Sequence, residues 1–185
     1  MAKIFLFRHG QTPDNIDKVF SGWRNPDIDQ EGIKQAQEIR DKLKGEKVTK
    51  AYSSDQIRSI HTLEIVLEPH QNVEVFQDPR IRERDYGDLT GQSKTETQEK
   101  DPLNYKLWHR SFDVPPPNGE SIAMVEKRVL PFIEDLKKSI KPDDVVFVSA
   151  SANSIRPMRK YFENMTNDQA VNYEYTPAEV FEYQI

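Results

Sequence analysis

The chain contains no cysteine among its 185 residues, so disulfide bonds and thiolate metal sites are excluded. It also lacks any apolar stretch near the roughly 20 residues that a membrane-crossing helix requires, and its N-terminus has no apolar secretion-signal core. No membrane partner is expected, and the cytoplasm is the expected compartment. An excess of positive charge is missing as well: 26 Lys and Arg stand against 31 Asp and Glu, a formal net charge of −5. That balance argues against nonspecific nucleic-acid binding as the main task and leaves room for a local basic pocket that takes small anions. Neither an internal repeat nor a long low-complexity tract interrupts the sequence. What is present is an ordinary soluble composition, 36% hydrophobic and 31% charged, at a length suited to a single domain over residues 1–185.

An apolar run over residues 4–7 predicts a short buried strand, and its abrupt change to Arg8, His9 and Gly10 is what a strand end presents to a cleft. Residues 28–43 place Asp29 as an N-cap ahead of Ile33, Ala36, Ile39 and Leu43 at helical spacing, with Gly45 closing the segment. Ala51 and Tyr52 lead to a second strand end at Ser53 and Ser54, followed by a helix face at Ile57, Ile60, Leu63 and either Val66 or Leu67. A short strand is expected over 73–76, and Ser121 caps a long helix carrying Ile122, Val125, Val129, Phe132, Ile133 and Leu136. Residues 145–148 form the clearest buried strand, feeding a helix over 154–162 in which Pro157 is expected in the first turn. Residues 180–183 supply a last strand. This alternation predicts an α/β fold of three αβα layers, its mostly parallel sheet covered by helices on both faces, with ligands at the carboxyl ends of the strands. Residues 84–119 are the least regular and predict an excursion facing the substrate, its acidic portion over 96–101 being a solvated connection.

An imidazole placed like His9 can attack phosphorus with one ring nitrogen while a hydrogen bond holds the other. Arg8 would neutralise the transferring group, Gly10 permits close backbone approach, and Thr12 and Asn15 offer neutral donors to phosphate oxygens. A satisfied turn histidine beside a surface cation accounts for the same triplet, and the triplet alone does not separate the two. Arg58 sits in the first turns of its helix, where its planar fork can grip phosphate; a helix-surface ion pair is the competing account. Glu83, between Arg82 and Arg84, is either a general acid or base held beside cations or one member of a surface charge run. His61, His70 and His109 share no metal-ligand spacing.

In their order along the chain, RHGQT with Asn15, the SGW of Ser21 to Trp23, YSSDQIRSIHT, RERDYGDLTG, WHRSFDVPPP, NGES and FVSASANSIR resemble the histidine phosphatase superfamily, and most closely its cofactor-dependent phosphoglycerate mutases. The resemblance covers nearly the whole chain; SGW and WHRSFDVPPP discriminate best, because RHG and the Arg58 segment are shared with the superfamily's phosphatases. It implies that His9 is the nucleophile that becomes phosphohistidine, that Arg8 and Arg58 bind the phosphoryl group, and that Glu83 moves protons to and from substrate oxygen. Asn15, Ser21 and Gly22 then match positions contacting phosphate or substrate, as do Ala152 and Asn153. Tyr86, Lys100, His109 and Arg110 match the group around the second phosphate and carboxylate, with His109 standing where arginine is usual. The implied reaction, part of glycolysis and gluconeogenesis, interconverts 3-phosphoglycerate and 2-phosphoglycerate. It is primed by 2,3-bisphosphoglycerate and uses no metal; a homodimer is a family-level expectation.

Two departures stand out. The family's second catalytic histidine falls on Ser151, and the glycine after it on Ala152, where an added methyl is expected to limit the backbone. Serine is shorter and neutral, so one charged donor to the phosphoryl oxygens is missing. The chain is then a slowed enzyme, an inactivated variant, or a protein that keeps phosphate binding without turnover. The second departure is the absence, between Pro117 and Asn118, of the larger mutases' insertion, together with an end shortly after the last strand. A more open site favours hydrolysis, which makes a phosphatase acting on small phosphate esters the alternative.

Overall fold

The computed structural model describes residues 1–185. The first strand, β1 (Lys3–Arg8), is buried at Ile4, Phe5, Leu6 and Phe7 alike, which marks a strand covered on both faces. A single helical turn, α1 (Pro13–Ile16), precedes α2 (Gln30–Leu43), where Asp29 caps the helix by accepting from the Gly32 amide at 2.8 Å. There follow β2 (Lys50–Ser53), α3 (Ile57–Leu67) and β3 (Glu74–Gln77). After two 3₁₀ turns come α4 (Lys94–Lys100), α5 (Pro102–Arg110) and α6 (Ile122–Ser139), the last capped by Ser121 as its sequence predicts. The chain ends through β4 (Val145–Ala150), α7 (Ala152–Glu163), α8 (Asn167–Asn172) and β5 (Val180–Gln184).

The strands form one sheet in the order β3-β2-β4-β1-β5, parallel except for β5, which runs against β1. Successive side chains of β1 point to opposite faces. Ile4 and Leu6 join Val146 and Val148 beneath α6 and α7 (Val129, Ile133, Ile155, Met158), while Phe5 and Phe7 join Phe147 beneath α2 and α3 (Ile39, Leu63, Val66). This is the three-layer αβα arrangement read from the sequence, with helices on both faces. A smaller cluster of Phe20, Tyr86 and Leu89, with Tyr105 and Trp108 against it, lies apart from both layers. No helix is long and apolar enough to cross a membrane.

Two expectations are corrected. Residues 84–119 hold two helices, α4 and α5, where an irregular excursion was predicted; α4 buries only Thr97 and α5 nothing, so no apolar stripe announced them. Pro157 lies in the second turn of α7, because the helix begins directly after β4 at Ala152. There its missing N–H forgoes a bond to the carbonyl of Asn153.

The turn after β1 touches the start of α2 backbone to backbone. A Cβ on Gly10 would sit 2.3 Å from the Gly32 carbonyl oxygen and 2.8 Å from its Cα, and the Gly10 amide donates to Thr62 Oγ1 at 3.0 Å. Gly10→Ala is therefore expected to destabilise the protein by about 1–3 kcal/mol, since backbone and not a pliable side chain stands in the way. An unchanged urea midpoint for that variant would refute this packing.

Candidate active site

The carboxyl ends of β1 and β4 lie side by side, Arg8 opposite Ala150, and the His9 amide extends the ladder to the Ala150 carbonyl at 3.1 Å. His9 and Ser151 thus occupy the corresponding places just past two neighbouring strand ends. A cleft of about 160 Å³ opens here, lined by five Lys or Arg side chains against the carboxylates of Glu83 and Glu174.

His9 is 93% removed from solvent, and its Nδ1 lies 2.7 Å from the Gly10 carbonyl. A carbonyl only accepts, so Nδ1 carries the proton and Nε2 the lone pair. Burial, reinforced by Arg58 and Arg8, holds the imidazole pKa well below the usual histidine range. The ring is a neutral nucleophile at neutral pH.

Arg58, the second residue of α3, is fully buried; its Nη1 and Nη2 donate to the carbonyls of Arg24 at 2.9 Å and Gly22 at 3.0 Å. Its Nε, like the Nε of Arg8, is buried without a partner. Gly22 has φ +52°, a left-handed conformation suited to glycine, and its carbonyl also accepts from Gln56 Nε2 at 3.1 Å. It does not line the cleft; it orients Arg58 from behind, where the sequence reading placed it against substrate.

Glu83, Asn15 and Ser21 all line the cleft. The Glu83 backbone is pinned by Gln56, Trp23 and Arg128, and its Oε1 accepts from the Arg84 amide at 2.6 Å. Asn15 spends its amide oxygen on Thr12, leaving its NH₂ group as a donor, and the Ser21 hydroxyl donates to Asp14 at 2.9 Å.

The opposite wall comes from the excursion. Tyr86 accepts from Asn153 Nδ2 at 3.1 Å, and burial raises its pKa, so it stays a neutral phenol. His109 lines the cleft from α5; burial and then Arg110 push its pKa down to about 4, so no fixed charge stands at this position. Arg110 is ion-paired with Glu174 at 2.5 Å.

Lys100 is a correction. It is exposed, 3.6 Å from Glu96 on its own helix, and absent from the cleft. Lys94 lines the cleft instead, six residues away and therefore on another face of α4. The sequence carried no usable signal for it, since a lysine just after the Ser93 cap opposes the helix dipole only once α4 is known to begin there. Arg156, Glu174 and Tyr175, also missed, line the cleft from α7 and the segment before β5.

Ser151, expected at a catalytic position, is fully buried and does not itself line the cleft, because serine is too short to reach it, and its hydroxyl has no partner, not even as the cap of α7. Its extended backbone (φ −94°, ψ 159°) suits any residue. Ala152 opens α7, is not among the residues with positive φ, and lines the cleft with Asn153, so its methyl brings no backbone strain, contrary to the expectation.

Residues 4–185 match the family model of the histidine phosphatase superfamily, branch 1. Among curated proteins, the chain is 36% identical over 177 residues to a 2,3-bisphosphoglycerate-dependent phosphoglycerate mutase of Nitrobacter hamburgensis, covering 92% of this chain and 86% of the relative. Another protein of that name, from Parvibaculum lavamentivorans, is 34% identical and covers 91% and 83%. Among solved structures, Bacillus stearothermophilus YhfR superposes with a TM-score of 0.90 at 22% identity, covering 100% of this chain and 92% of that one. The alpha-ribazole phosphatase of Shigella flexneri gives 0.87 at 22%, covering 99% and 90%.

Proposed function

The chain belongs to the histidine phosphatase superfamily, and from that we propose that it transfers phosphoryl groups through His9 as a 2,3-bisphosphoglycerate-dependent phosphoglycerate mutase slowed by Ser151. The observation that carries this is the state of His9: a buried imidazole with Nδ1 committed to a carbonyl and Nε2 free, beside arginines that still hold unspent donors. The name shared by relatives 34–36% identical over most of the chain supports the choice of substrate.

Nε2 forms a bond to phosphorus as the ester P–O bond breaks, and Arg8 and Arg58 offset the charge on the equatorial oxygens. Glu83 gives its proton to the departing oxygen and takes one from the incoming hydroxyl in the reverse step. Asn15 donates to the phosphoryl oxygens, while Tyr86, Lys94 and Arg110 hold the rest of the substrate. The unspent buried donors at the inner end of the cleft and its cationic lining fit a bisphosphorylated three-carbon acid. When bound, 2,3-bisphosphoglycerate supplies the phosphoryl group that primes His9.

A phosphatase is the second reading, favoured by the carboxylate of Glu174 already seated on Arg110, a cation the mutase reaction uses. Incubation with 3-phosphoglycerate and catalytic 2,3-bisphosphoglycerate separates the two. We expect 2-phosphoglycerate to form faster than inorganic phosphate is released. Phosphate release in excess favours the phosphatase, and neither product, from this chain or from Ser151→His, overturns the proposal.

A further inference from the structure

Arg110 ends α5 and reaches across the cleft to the segment between α8 and β5. Its Nη2 lies 2.5 Å from Glu174 Oε1, and its Nη1 donates to the Val171 carbonyl at 3.3 Å. Both terminal nitrogens of the fork hold a partner before any ligand arrives.

The other charges at this end are few. Arg156 is committed to the carbonyls of Ala170 at 2.6 Å and Tyr173 at 2.9 Å and to Asn153 Oδ1 at 3.1 Å. His109 is neutral, as its pKa of about 4 requires. Lys94 is the one cleft cation outside the phosphoryl end with no ion-pair partner or hydrogen bond.

From this arrangement we infer that Glu174 is a specificity-determining residue, competing with a substrate's far-end carboxylate for Arg110 and so narrowing the site's preference for anionic-ended over hydroxyl-ended phosphate esters. The inference rests on the proposed placement of substrate across His9 and Arg110. A carboxylate at the far end has to displace Glu174 from Arg110 and then lie beside it, and like charges so placed repel. A hydroxyl there meets no repulsion and donates to the Glu174 carboxylate. Because Glu174 is 77% exposed, the pair opens at little cost and acts as a selectivity filter, not a block.

The test compares two esters on one skeleton, 3-phosphoglycerate and glycerol 3-phosphate, which differ in a carboxylate against a hydroxymethyl group. Dissociation constants are measured by calorimetry for this chain, Glu174→Gln and the double variant Glu174→Gln/Arg110→Ala, with melting curves to establish that each is folded. In Glu174→Gln, 3-phosphoglycerate is expected to bind about fivefold more tightly, while glycerol 3-phosphate moves by less than about twofold. The added Arg110→Ala should remove that gain. Equal tightening of both esters, no tightening, or a gain that survives the loss of Arg110 overturns the inference and leaves the proposed function standing. If neither ester binds any folded variant, the proposed function falls, and the inference with it.

Discussion

Ser151→His is expected to raise the rate of phosphoryl transfer by about 10²- to 10³-fold, the usual worth of one preorganised donor to a charged transition state, with KM moving by no more than a few fold. The structure supplies three reasons. Ser151 stands immediately past β4, in the place that His9 occupies past β1 and next to the cleft-lining Ala152 and Asn153, so a side chain longer than serine is expected to reach the same phosphoryl group from the neighbouring strand end. Its backbone is extended and free of strain, so a histidine there meets no backbone penalty. Its hydroxyl has no partner to lose. Once the phosphoryl group is bound, its negative charge favours a protonated imidazole there, which brings a charged hydrogen bond where serine brings a short neutral group. Stopped-flow or coupled assays on 3-phosphoglycerate measure the gain, and a folded variant without it shows that Ser151 is not what limits turnover.

His9→Asn in the Ser151→His background is expected to lower single-turnover transfer by about 10⁴-fold or more, since no other group in the cleft replaces a lost nucleophile. Binding of inorganic phosphate should change by less than about threefold, because the cations that grip it remain. His9 makes one side-chain hydrogen bond, to the carbonyl of its own neighbour, so the substitution strands no distant partner. The contrast between lost chemistry and kept binding separates a nucleophile from a residue that only shapes the site. If the double variant keeps more than a few per cent of the transfer rate, His9 does not carry the phosphoryl group.

Much of the fold could be read from residues 4–7 and 145–148, which are apolar at consecutive positions because both sheet faces are covered, and from Asp29 and Ser121, whose caps fix where α2 and α6 begin. The inner half of the site was legible only through the family resemblance, because the residues alone left His9, Arg58 and Glu83 each with a structural account; the structure brings Arg8, His9, Arg58 and Glu83 to one cleft. The outer half was not, since α4 and α5 have almost no buried face to leave an apolar period, and Lys94, rather than Lys100, reaches the cleft through a helix that sequence spacing did not reveal. Arg156, Glu174 and Tyr175 arrive through the docking of α7 and the last segment against the rest of the chain. Their positions depend on long-range packing that no local pattern encodes. Gly22 was assigned to substrate by the family resemblance alone, and in the structure its carbonyl holds the protein's own Arg58.

The most direct measurement is the identity of the phosphorylated residue. The chain and its Ser151→His variant are incubated with 2,3-bisphosphoglycerate, digested under alkaline conditions and sequenced by mass spectrometry. The account predicts a single acid-labile, base-stable phosphate on His9, slow to appear in this chain and fast in the variant. Phosphate on any other residue, or no labelling of His9 in either folded protein, would contradict it.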